Sequence, residues 1–302
     1  MTTLSPALAY PVPDVPVDAL RSVRQPGVAP GADSPQRASK YIRYGIYAAL
    51  PWLLPAALLA LWQTGSRAGW ISAQVLPEPA VVWQTLKELA QSGDLWLNTK
   101  ASLLRVLFGY LLGGTLGLLL GTAMGLSRRI EAYVLPTFNA LVQIPVLAWL
   151  PFVMLLVGIG EPFKIILIAH AALVPVTLNA LQAFRQAPAA LREVGQVYGY
   201  TRRQDVLEIV LPQAVPTLFT GLRLGFTKAW LSLVVVELVA SSEGLGYLIV
   251  YGRQLFQLDL VMAAVIVVGA IGYVIDKLLD GIERRVLGRP AHARGDATGA
   301  WT

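Results

Sequence analysis

Cysteine is absent from the 302 residues, which excludes disulfides, thiolate nucleophiles and cysteine-ligated metals. Histidine is almost absent. His170 lies in an apolar run and His292 in a polar tail, so no histidine-rich metal site is legible. Charged residues make up only 14% of the chain, against about 25% in an ordinary soluble domain. Several catalytic signatures are also missing. There is no Gly-x-x-x-x-Gly-Lys-Ser/Thr loop, whose backbone amides and lysine would cradle phosphates. There is no Gly-x-Ser-x-Gly and no His-Glu-x-x-His, and no other nucleophile–base set is visible.

What the chain has in quantity is apolar sequence. Hydrophobic residues reach 55% and the mean hydropathy is +0.58. Six runs approach the roughly 20 residues a helix needs to cross a bilayer: 44–62, 102–126, 133–157, 163–184, 216–240 and 258–279. None alternates as a barrel strand would. The sequence therefore predicts an all-α polytopic transmembrane bundle of about six helices. Residues 1–43 are rich in Pro, Ala, Ser and Arg and read as a disordered tail. The transmembrane core is expected over 44–281, with a basic, polar tail over 282–302. Between the first two spans, Pro79 is placed to start a short amphipathic helix that is too polar to span.

The net charge of +6 would be compatible with nucleic acid, but the basic residues cluster at the ends of apolar runs. With six spans, Arg128, Arg129, Arg185, Arg192, Arg202, Arg203, Arg284 and Arg285 share one side with both termini. The opposite side has Arg67, Lys87, Lys100, Arg105, Lys164 and Arg253. Cytoplasmic loops carry the excess of Lys and Arg, so both termini and the segment 187–212 are expected in the cytoplasm and no nucleic-acid partner is expected.

That segment has the grammar of a helix–turn–helix. Pro188 suits a first turn, Gly199 can end the helix through positive φ, and Thr201 with Gln204 forms the sequence pattern of a capping box. Pro212 is expected to help terminate the second helix before the next span. Elsewhere, Gly109, Gly113, Gly117, Gly121 and Gly125 recur every four residues on one helix face. Such a stripe allows close helix approach in a membrane, either inside this chain or against a second subunit. Among polar groups in spans, Glu237, His170, Asn139, Gln143 and Asn179 are candidates for a translocation path. Each has a plainer reading as an interfacial or helix-bridging residue. Arg223 and Lys228 could attract an anion or simply snorkel.

The segment 187–212 resembles the signature loop of bacterial ABC importer permeases: Glu-Ala-Ala, three residues, Gly, nine residues, Ile-x-Leu-Pro. Glu193, Gly199, Ile209, Leu211 and Pro212 match in type and spacing, while Val194 and Gly195 replace the two alanines. From about Leu53 to Leu287 the chain is similar to permeases serving aliphatic sulfonates, taurine and nitrate. Carrying this are Val75 to Pro79, Gly121 to Ser127, Ile209 to Pro216, Gly221 to Leu224, Trp230 to Glu237 and Gly244 to Tyr247. The resemblance implies a type I importer permease in the inner membrane that is not itself an enzyme. It implies two permease copies, two cytoplasmic ATPase subunits that bind ATP, and an extracytoplasmic solute-binding protein. It gives the five matching residues an ATPase-coupling role, and it implies no metal or cofactor in this chain. Taurine, nitrate and pyrimidine precursors stand as alternatives to a sulfonate, and an ion-coupled carrier as an alternative mechanism.

Overall fold

The computed structural model describes residues 53–70, 72, 75–186 and 188–287, and none of these lies in a strand. The expected tail 1–43, the start of the first predicted span and residues 288–302 lie outside the described residues. The helical elements are α1 (53–67), α2 (Pro79–Ser92), α3 (Asp94–Leu126), α4 (Arg128–Val142), α5 (Leu150–Val157) and α6 (Glu161–Arg185). There follow α7 (Ala189–Val197), α8 (Arg202–Gln204), α9 (Leu211–Ala240), α10 (Leu245–Gln254) and α11 (Leu258–Val286). A 3₁₀ turn, Val146–Trp149, precedes α5, and a π-helical stretch, Asp205–Val210, joins α8 to α9.

Three of these helices, α3, α6 and α11, are long and apolar enough to cross a membrane. Two bent pairs bring the count to five among the described residues. The predicted third span is one of those pairs and not a continuous helix. α4 and the Val146–Val157 segment meet at 89°. Pro145 stands at the bend with extended ψ of 141°; it lacks an N–H and disfavours the helical region for the residue before it. The second pair is the α9 segment with α10, bent by 41°. α10 lies between the predicted spans 216–240 and 258–279 and starts after Gly244, which turns the chain at φ 116°. α3 begins at Asp94, before the predicted Ser102, because its polar first turns extend the helix beyond its apolar run.

The core is built around α6, which packs on α3 along one face and on α9 along another. All five glycines of the α3 stripe face α6 of the same chain. A methyl group on Gly113 would collide with the backbone carbonyl of Ala169, and one on Gly121 with that of Thr177. At Gly109 it would come within 2.6 Å of Ile168, at Gly117 within 2.9 Å of the Leu173 carbonyl, and at Gly125 within 2.7 Å of Phe184. Lipid offers no hydrophobic drive between helices, so such backbone approach and its dispersion contacts supply the cohesion. Gly221 and Gly225 of α9 repeat the device against Asn179 and Val176 on the other side of α6. Outside this core many large apolar side chains stay exposed, among them Leu119, Leu155 and Tyr273, as suits a surface solvated by lipid.

Candidate functional site

Two polar regions stand out, one at each end of the bundle. The first is the segment 187–212. α7 is strongly amphipathic and starts at Pro188, whose carbonyl accepts from Leu191 and Arg192. Its end is a Schellman motif. The Gly199 N–H donates to the Gln196 carbonyl at 3.0 Å and the Tyr200 N–H to that of Gly195 at 2.9 Å. Gly199 sits at φ 73°, where a side chain would be strained. The capping box at Thr201 is present in both halves, with the Thr201 N–H donating to Gln204 Oε1 at 3.0 Å.

The second half of the segment differs from expectation. Pro212 terminates nothing: the chain is helical without interruption from Arg202 to Ala240, and Pro212 lies in the first turn of α9. The preceding π-helical stretch explains how. Its i→i+5 pairing shifts the hydrogen-bond ladder just before the residue that has no N–H to offer. α7 is tied to this stretch by Arg192, which donates from Nε and Nη2 to Asp205 Oδ2 at 3.1 and 2.9 Å. Gly195, a departure from the family pattern, also has a local cause. A methyl there would lie 2.8 Å from Ile209 Cδ1, so the missing side chain lets Ile209 seat against α7. Glu193 has no partner among the described residues, and Val194, Val197 and Tyr198 beside it are exposed. Leu211 and Pro212 are also exposed.

The second region is a buried charge cluster at the opposite end. Arg105, 3% exposed, is its hub. It donates to Glu161 through Nε (2.7 Å) and Nη2 (2.8 Å). It donates to Glu237 through Nη1 (2.9 Å), and to the Glu243 carbonyl and carboxylate at 2.7 and 2.9 Å. Glu237, 1% exposed, also accepts from Ser102 Oγ at 2.7 Å and from the Gly246 N–H at 2.9 Å. Ser102 in turn accepts from the Leu245 N–H, and Asn98 accepts from that of Gly244. The start of α10 is thus capped by side chains of α3 and α9. Lys164, also buried, pairs with Glu161 at 2.7 Å. Three carboxylates face two cations, so the cluster is a cross-brace and offers an anion no net attraction.

Glu237 is legible in the sequence as a polar group within a span, but its partner Arg105 is not among the path candidates. The signal was available: Arg105 lies four residues before Gly109, in register with the glycine stripe, on the face that meets α6. The remaining path candidates are dispersed. Asn139 and Gln143 are exposed on and just after α4. Asn179 donates to the Pro175 carbonyl at 2.8 Å and faces Gly221. His170 packs on Trp149 with ring centroids 5.9 Å apart. Among the described residues, no hydrogen bond or ring contact joins any two of these four or links one to Glu237. Arg223 neither snorkels nor stands free: it donates to Asp276 at 2.9 and 3.0 Å and reaches Asp280 and Glu283, fastening α9 to α11.

Comparison with known proteins gives these regions a context. Residues 113–288 match the family model described as binding-protein-dependent transport system inner membrane component. A Bacillus subtilis permease protein, SsuC, named for aliphatic sulfonates transport, is 40% identical over 81% of this chain and 88% of its own length. The Escherichia coli taurine transport system permease TauC is 32% identical over 76% of this chain and 86% of its own. Among solved structures, a chain of the MetNI methionine ABC transporter superposes with a TM-score of 0.50 at 22% identity. That match covers 65% of this chain and 95% of that one, so the fold is shared.

Proposed function

This chain belongs to the binding-protein-dependent transport system inner membrane components, and from that premise we propose that it forms the pore of an ATP-driven importer for a small organic anion, an aliphatic sulfonate in the first instance. A separate solute-binding protein delivers the solute, and separate ATPase subunits dock on 187–212. Two copies of the permease make the pore.

The observation that carries this reading is the build of 187–212. A short amphipathic helix presents Glu193, Val194, Val197 and Tyr198 outward. It is fastened through Arg192–Asp205 to a helix continuous with a spanning segment. A push on α7 therefore reaches α9 with no flexible joint between. ATP binding on the partner then shifts the inward–outward balance through differential affinity for the two states. Gly199, Ile209, Leu211 and Pro212 shape the turn and the junction through which that push travels.

Orientation follows from charge. Of the six cations assigned to the outer side, Arg105 and Lys164 are buried in the brace. The exposed cations are thus still more one-sided than the sequence count suggests, which supports cytoplasmic termini and a cytoplasmic 187–212. The sulfonate assignment rests on the relative named for aliphatic sulfonates; the taurine relative keeps a second solute in view.

The test is reconstitution of the permease with its ATPase subunits and binding protein in vesicles. ATPase stimulation is then compared for an alkanesulfonate, taurine, nitrate and a pyrimidine precursor. An alkanesulfonate giving the largest stimulation is expected. Stimulation by another of the four replaces the solute but keeps the importer. Solute uptake that persists without any ATPase subunit replaces the mechanism with an ion-coupled carrier.

A further inference from the structure

Beside the coupling segment lies a cleft of about 750 Å³ whose rim carries Arg128, Arg129, Arg192 and Arg202. Four guanidinium groups face one carboxylate there, that of Asp205, whose Oδ2 is already taken by Arg192. Arg128, Arg129 and Arg202 have no ion-pair partner among the described residues. The nearby carboxylate of Glu131 is engaged by Arg185. The floor is apolar, made by Phe184 and Val210, both buried.

Two further features shape the cleft. Gly125 and Leu126 of its wall are the last residues of the spanning helix α3, so it opens at the level where hydrocarbon gives way to headgroups. α4, 15 residues long, starts in the same wall. Ser127 caps only its Ile130 N–H by side chain and its Glu131 N–H by carbonyl, so the Arg128 and Arg129 N–H groups have no hydrogen-bond partner among the described residues, as first-turn N–H groups of a helix commonly do.

We propose that this cleft binds the phosphodiester headgroup of an anionic glycerophospholipid, with Arg128, Arg129 and Arg202 as its cationic contacts. The proposal rests on the reading that this end of α3 is cytoplasmic. An apolar floor under a ring of arginines matches a group whose phosphate is charged and whose glycerol backbone leads into hydrocarbon. The cytoplasmic leaflet carries the anionic lipids, and basic pockets between spanning helices at that surface hold their headgroups. The cleft volume falls within the usual range for small-ligand sites. A bound lipid would bridge the α3–α4 turn to the coupling segment and brace the latter on the bundle.

The test uses the full chain in phosphatidylcholine nanodiscs doped with phosphatidylglycerol, with retained lipid counted by native mass spectrometry. The triple variant Arg128→Gln, Arg129→Gln, Arg202→Gln should lower phosphatidylglycerol retention by roughly a hundredfold, at about fivefold per arginine. The corresponding triple Lys variant, which keeps the charge, should retain most of it. Arg203→Gln, outside the cleft, should behave as the parent chain. Equal retention by the Gln triple and the parent would overturn the proposal, as would an equal loss with Arg203→Gln. Displacement of the lipid by inorganic phosphate would assign the site to a free oxyanion instead. Displacement by added ATPase subunits would assign it to the protein partner. Co-purification of the ATPase with the same variants reports on the coupling reading independently, because lipid retention is measured without it.

Discussion

Replacing Arg105 by Met removes the hub of the brace and tests whether that brace holds α3, α6, α9 and α10 together. The three carboxylates it serves are not equivalent. Glu161 and Glu243 have side chains 51% and 64% exposed, so water takes over most of what Arg105 gave them, and each loss is worth at most about 1 kcal/mol. Glu237 is 1% exposed and stays enclosed, left with Ser102 and the Gly246 N–H as its donors. Breaking a buried pair from one side costs about 3–5 kcal/mol, because an uncompensated charge remains. Removing both charges of such a pair is often close to neutral. The expected order of thermal stability for detergent-purified protein is therefore parent, then Arg105→Met with Glu237→Gln a little below, then Arg105→Met alone well below both. The assay is loss of the monodisperse peak in size-exclusion chromatography after stepped heating. If the double variant is no more stable than the single one, buried Glu237 is not what Arg105 compensates, and the reasoning fails.

Other outcomes follow from the same geometry. Gly113→Ala meets the Ala169 backbone while Gly114→Ala has nothing nearer than 3.9 Å. The first should cost at least the ~1–3 kcal/mol of overpacking and the second little, on the same heating assay. Gly199→Val forces a β-branched residue to positive φ. It should lower solute-stimulated ATPase activity several-fold while membrane insertion, followed by blotting of washed membranes, is unchanged. Arg223→Gln releases Asp276, Asp280 and Glu283. Because that site is partly exposed, a loss of at most about 1 kcal/mol is expected, with faster hydrogen exchange at the α11 end.

The elements that apolar length and glycine spacing encode were legible: α3, α6 and α11 stand where runs of suitable length occur, and the capping box and Gly199 turn follow from local chemistry. What escaped the sequence depended on context. Three prolines lie in 133–157, but only the backbone shows that the chain turns by 89° at Pro145 while Pro136 stays inside α4. Pro212 read as a stop because the rule for proline assumes α-helical pairing, and the π-helical stretch before it alters that pairing. α10 leaves no local start signal in the sequence, because its cap comes from Asn98 and Ser102, roughly 140 positions away. Arg105 counts in the sequence as one more cation on the outer side; its register with the glycine stripe turns it toward α6, but the three carboxylates that enclose it stand on distant elements.

If ATP hydrolysis is coupled to this chain at 187–212, the ATPase must touch that segment, and the absence of cysteine allows a direct test. Val197→Cys places a single thiol on the exposed face of α7 (85% exposed), and Phe256→Cys places one at the opposite end (89% exposed). A short thiol–amine cross-linker is then applied to membranes containing the complete complex. A cross-link from Val197→Cys to the ATPase subunit and none from Phe256→Cys is expected. A cross-link from Phe256→Cys with none from Val197→Cys would contradict coupling at 187–212.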